Sequence, residues 1–201
     1  MKLGELLLGL VLGIVSSVGA WWAVALRLSP KYEVSSLNAV RDSKVPCGYR
    51  YRIKVRNLRR RSALTEVGLH ARVVIRGLNA DLPLNYYSMA VPVGSGSVFP
   101  VLERRRKTAG PLDNERIYTL DIHHLDGDSF RRMPPEVQER VTNGTITLEE
   151  LLGLGDRGVV RLAVSGTHDR SGFKRTQTFK FDKQVEGEFN RGSVDITRYP
   201  T

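Results

Sequence analysis

The chain holds one cysteine, Cys47, in 201 residues. That excludes an intramolecular disulfide framework and any multi-cysteine metal site. Acid is scarce too: 21 Asp and Glu stand against 31 Lys and Arg, a formal charge of +10. No glycine-rich phosphate loop ending in Lys is present, and Ser165-Gly166-Thr167 lacks the Gly-x-Ser-x-Gly elbow that would expose a nucleophilic serine. His123-His124, with Asp121, Asp126 and Asp128 nearby, has the right atoms for a metal. Adjacent residues of a strand point to opposite faces, however, so the pair reads as structural or hydrogen-bonding. Cys47 has no acid–base partner in sequence and reads as a buried or incidental thiol. The expectation is no enzyme, no catalytic residue, no metal and no cofactor.

What the chain does have is a long apolar run. Leu6 to Leu26 contains 21 residues without a charge, about 30 Å of helix at roughly 1.5 Å per residue. This predicts a single-pass anchor over 1–28. A cleaved signal peptide is the rival, with small residues at Val18-Gly19-Ala20 and Ala23-Val24-Ala25. Arg27, Lys31, Arg41 and Lys44 outweigh Lys2 on the other flank, so the charge rule places the C-terminal domain in the cytoplasm of a cell-membrane protein. Trp21 and Trp22 then lie toward the cytoplasmic boundary.

Beyond the anchor, Ser29-Pro30 ends the helical pattern. Residues 29–48 read as a linker and first strand region, 49–192 as a β-sandwich, and 193–201 as a C-terminal tail. The clearest strand is Tyr49 to Arg56, with Tyr49, Tyr51, Ile53 and Val55 on one face and four cations on the other. Val67, Leu69, Ala71, Val73 and Ile75 alternate likewise, which predicts a hairpin around Asn57–Ser62. Further strands are expected at 98–104, 116–123, 159–166 and 175–181, with a long loop over 79–96. Pro134–Val141 and the capping-box pattern Thr147–Leu152 predict two short inserted helices. The fold class is all-β, an immunoglobulin-like β-sandwich with two short helices inserted, preceded by one N-terminal transmembrane helix.

Pro30-Lys31, Ala39-Val40-Arg41-Asp42, Arg56-Asn57-Leu58-Arg59 and Val164-Ser165-Gly166-Thr167, in that order, together resemble the cytoplasmic domain of inward-rectifier potassium channels. Pro30-Lys31 after the helix resembles that family's linker, and Ala39-Val40-Arg41-Asp42 its lead into the first strand. Arg56-Asn57-Leu58-Arg59, then Leu64-Thr65-Glu66-Val67 and Ala71, resembles its Asn-Leu-Arg hairpin and following strand, with one extra residue in the turn. His123, Leu125, Asp126 and Ser129 match its His-x-Ile-Asp-x-x-Ser run, and Val164-Ser165-Gly166-Thr167 with Ser171-Gly172, Gly187 and Phe189 its last hairpin. The resemblance spans residues 30–190 in order and implies an immunoglobulin-like domain. No pore helix and no Thr-x-Gly-Tyr-Gly filter accompany it, so the chain forms no such pore alone.

Seven cations fall between Arg50 and Arg61. A solvated sheet face would account for them; so would an anionic lipid surface. The resemblance implies phosphoinositide contact at Lys31 and Arg59, with Arg60 beside them, and Arg27 lies at the same helix end. Arg27, Lys31, Arg59 and Arg60 are therefore the candidate headgroup-binding residues. Arg175 and Lys180, in another predicted hairpin, are expected to take no part. The expected partners are the membrane, anionic lipids, and either further copies of the chain or an unknown membrane protein; no basic aromatic platform or recognition helix argues for nucleic acid. The alternatives are an extracytoplasmic, signal-anchored envelope or binding module, and an accessory subunit of an ion-channel complex.

Overall fold

In the computed structural model, the described residues are all except 1–2, 60–61, 79–84, 95–97, 103–113, 191–192 and 200–201. The long helix α1 (Leu3–Leu28) comes first. Its last bond runs from Ser29 N to Ala25 O at 2.8 Å, and Pro30 cannot extend the ladder. The window Leu7–Ala25 has mean hydropathy 2.0 and none of it is buried, so α1 is long and apolar enough to cross a membrane.

The rest is mostly strand. In chain order it runs β1 (Tyr32–Val34), β2 (Asn38–Arg41), β3 (Tyr49–Asn57), β4 (Leu64–Arg76), β5 (Tyr86–Val91), β6 (Val93–Gly94), β7 (Val98–Leu102) and β8 (Glu115–Leu120). Then follow α2 (Asp128–Arg131), α3 (Pro135–Thr142), α4 (Leu148–Leu152), β9 (Arg157–His168), β10 (Lys174–Phe181), β11 (Val185–Phe189) and β12 (Ile196–Arg198). Two sheets result. One is ordered β12-β11-β2-β3-β8-β6, with β1 continuing the line of β2 along β3. The other is ordered β10-β9-β4-β5, with β7 beside the first half of β4. One core takes Tyr51, Ile53, Val55 and Tyr118 from the first sheet and Leu69, Val73, Leu162 and Val164 from the second.

Both alternating strands bury the faces read from the sequence, but they are not a hairpin. β3 pairs with β1, β2 and β8, whereas β4 pairs with β5, β7 and β9. Period-two alternation settles which side chains face inward and says nothing about which strand lies alongside. The buried Asn57 makes the turn: its Nδ2 donates to Ser62 O (3.0 Å) and Leu102 O (3.4 Å), while its Oδ1 accepts from Arg59 N (2.9 Å). β3 and β4, consecutive in the chain, thus belong to different sheets.

Three other elements depart from expectation. The segment expected as a long loop contains β5 and β6; Tyr87, Met89 and Val91 alternate inward, a short signal masked by the surrounding Pro, Asn and Gly. A one-turn helix, α2, precedes the two expected ones. The C-terminal residues fold back as β12 on β11, where any side chain on Gly187 would collide with Thr197 O. Of the expected helices, α4 carries the full capping box between Thr147 and Glu150. Tyr51 Oη accepts the Leu148 N–H at 2.8 Å, seating α4 on the core.

Candidate functional site

The helix-to-domain junction concentrates the polar chemistry. A helix C-terminus leaves its last carbonyls without intrahelical partners and carries the negative end of the macrodipole. Here three successive carbonyls each accept from a side chain of the β domain. Ser171 Oγ reaches Leu28 O (3.3 Å), Arg59 Nη2 reaches Ser29 O (2.7 Å), and Arg175 Nη1 reaches Pro30 O (3.4 Å). The next carbonyl, Lys31 O, accepts from Leu58 N (2.9 Å). Tyr32 then enters the domain, its hydroxyl donating to Val164 O at 2.7 Å. Burial pushes that phenol up to about 12, so it is a neutral donor at any ordinary pH.

Arg59, from the β3–β4 connection, and Ser171 and Arg175, from the β9–β10 hairpin, make this clamp. Ala63, just before β4, is tied to the β9–β10 turn, since Ala63 N donates to Asp169 Oδ2 (3.1 Å) and Asp169 N to Ala63 O (3.3 Å). The turn closes through His168 N to Phe173 O (2.9 Å) and Gly172 N to His168 O (2.9 Å). Gly172 has φ +68, which a glycine adopts without strain.

Behind the turn, the His168 imidazole is 4% exposed. Its Nδ1 accepts from Ser171 N (3.3 Å) and lies 3.0 Å from Ser171 Oγ. Burial above all holds its pKa below the usual histidine value; Asp169 opposes this, while Arg59 and Arg170 reinforce it. Burial likewise lowers His123. The sign follows: the fold favours neutral imidazoles, so their contribution is complete above the unfolded value of about 6.5 and is lost as pH falls through the lower folded value. Thermal stability should therefore decline on acidification below about pH 6.5. His168→Asn, which keeps an acceptor near the Ser171 amide but does not titrate, should flatten that decline. Identical pH profiles of melting temperature for the two proteins would remove His168 as a contributor.

The candidate residues fall as follows. Arg27 is exposed in the last turn of α1, and Lys31 is exposed just beyond it. Arg59 is half-buried on the Ser29 carbonyl, in contact with the same junction. Arg60 lies outside the described residues.

The cation face of β3 is not an open basic surface. Arg50 pairs with Asp42 (2.6 Å), Arg56 with Glu33 (3.2 Å), and Lys54 with Glu115 (3.3 Å), the last pair being buried. The C-terminal segment covers Lys54, whose Nζ also donates to Asn190 O (2.8 Å) and Ser193 O (3.0 Å) and sits 5.2 Å from the centre of the Phe189 ring. Arg175 is likewise not remote, because it holds Pro30. The residues missed in sequence are Asp169, Ser171 and Arg175. The Ser171-Gly172 pair marks a turn, but only the three-dimensional fold brings that turn to the helix end.

His123 and His124 lie in a turn after β8, not on a strand. His124 Nδ1 contacts Asp121 Oδ2 (2.8 Å), and His123 Nε2 is 3.6 Å from Cys47 Sγ. Among the described residues, no group of three or more His, Cys, Asp or Glu is arranged to hold a metal ion. No protein-family model matches this chain, and neither does any curated protein.

Proposed function

We propose that this is a non-catalytic, single-pass membrane protein whose β domain is held against the inner leaflet, where its junction cations bind anionic lipid headgroups and the domain contacts other subunits. The observation that carries the reading is the clamp on Leu28, Ser29 and Pro30. It fastens the domain to the end of an apolar helix, so Arg27, Lys31 and Arg59 cannot leave the headgroup region once that helix is inserted. Each cation near an anionic leaflet contributes about 1 kcal/mol. The two-sheet architecture is compatible with the immunoglobulin-like sandwich implied by the resemblance to inward-rectifier cytoplasmic domains, and the flanking charges favour a cytoplasmic domain.

Two measurements test this. The full-length protein should stay in the membrane pellet through high salt and alkaline carbonate, because an apolar span is held by hydrophobic transfer rather than charge; release by either wash would mean a cleaved signal and a free domain. Sidedness is read with Ser43→Cys in a Cys47→Ser background, placing one thiol on an exposed turn. An impermeant thiol reagent should miss it in intact cells. Labelling would instead favour an extracytoplasmic, signal-anchored module.

A further inference from the structure

The clamp brings a second group of cations to the end of α1. Ser171 is bonded to the carbonyl of Leu28, the last helical residue, and its neighbours in the β9–β10 turn and strand are Arg170, Lys174 and Arg175, all exposed. Leu28 lies two residues beyond the uncharged run that ends at Leu26, about 3 Å along the axis at roughly 1.5 Å per residue. The headgroup layer on each side of a bilayer is about 5–7 Å thick. The turn is therefore at headgroup depth, within one Debye length of about 8 Å from the lipid phosphates.

We propose that the β9–β10 turn is a headgroup-binding element in its own right, with Arg170 and Lys174 contacting the phosphates of anionic lipids in addition to Lys31. This inference rests on α1 being inserted as proposed above. Asp169 is the only acidic residue from His168 to Phe181 and stands against Arg170, Lys174, Arg175 and Lys180, so the hairpin stays net positive. Arg175 supplies charge but also holds Pro30, so its removal would disturb the junction and it is not used as a probe. The bound chemistry is a phosphate ester. A turn bonded to the exit of a membrane helix meets such groups in the bilayer surface, which favours lipid over a soluble polyphosphate.

The test uses the full-length protein in phosphatidylcholine vesicles containing trace dansyl-labelled phosphoinositide, with labelled phosphatidylcholine as reference. The chain's two tryptophans, Trp21 and Trp22, lie exposed near the end of α1 and act as energy-transfer donors. Enrichment of the anionic probe over the neutral one measures binding. At about 1 kcal/mol per cation, Arg170→Gln/Lys174→Gln should weaken enrichment roughly five- to thirtyfold, and raising the salt should shrink the difference. Lys180→Gln/Lys183→Gln removes equal charge about 20 Å along the strand, at roughly 3.3 Å per residue, and should change enrichment less than twofold. All four side chains are exposed, and unchanged melting temperatures verify that the variants fold.

If the turn variant stays within twofold of wild type while Lys31→Gln loses affinity, the turn inference is wrong and the lipid reading stands. Equal losses in the turn and the control variants would reduce the attraction to the pull of net charge and overturn the inference. Wild type showing no preference for the anionic probe would overturn both. Soluble inositol trisphosphate displacing the probe at equal concentration would reassign the site to a free polyphosphate and overturn the lipid assignment.

Discussion

Ile53→Asp and Val55→Asp are each expected to unfold the β domain at 25 °C. Both side chains are fully buried in β3, the strand through which β1, β2 and β8 are joined. An aspartate there either ionises without a partner or is buried protonated with unmet hydrogen bonds, and a cavity remains where the aliphatic group stood. The cost is several kcal/mol against a total stability of about 5–15 kcal/mol. In the full-length protein in detergent, proteolysis should digest the domain and leave the micelle-protected helix. Arg52→Asp, one position away on the half-exposed outer side, should stay folded with a change of about 1 kcal/mol or less. Comparable damage at Arg52 would mean that β3 presents the wrong face to the core.

That contrast also marks how far the sequence could be read. Alternation within 49–56 and 67–75 identified the inner faces correctly because the side-chain period of a strand is two and one face meets the core. The capping box at Thr147 was legible because it is purely local, three residues reaching a nearby amide. Partnership was not local. The hairpin expected at Asn57–Ser62 does not form, because β3 pairs with β8 and β4 with β9, partners far along the chain. The same limit applied at the junction. Lys31 and Arg59 were accessible through the Pro-Lys and Asn-Leu-Arg resemblance, whereas Ser171 and Arg175 meet Leu28 and Pro30 only after two sheets have formed. The outer face of β3 is less open than its sequence suggests for a related reason. Four alternating cations look like a solvated face, and nothing within that strand announces that Glu33, Asp42, Glu115 and the C-terminal segment come to meet them.

Lys54 is where that difference has its largest energetic consequence. A lysine on the polar face of an edge-like strand would tolerate substitution, but Lys54 is 2% exposed. Its ammonium has three protons and three acceptors: Glu115 Oε1, Asn190 O and Ser193 O. Lys54→Ala removes all three bonds and leaves the Glu115 carboxylate, itself 6% exposed, as an uncompensated buried charge. Breaking such a pair from one side costs about 3–5 kcal/mol, which in a domain of this size lowers the melting temperature by about 6–20 °C. Lys54→Met/Glu115→Leu removes both charges and should recover most of that loss, because a buried pair replaced by apolar groups of similar volume is often neutral. The two carbonyls of the C-terminal segment stay without their donor in either variant. Amide exchange in β11 and β12 should therefore remain faster than wild type even where the melting temperature has recovered. A single substitution costing less than about 1 kcal/mol, the range of an exposed pair, would show that Lys54 is solvated and that the segment does not cover it. Recovery of stability together with wild-type exchange in β12 would show instead that the strand pairing of β11 with β12, and not the lysine, holds the C-terminal segment in place.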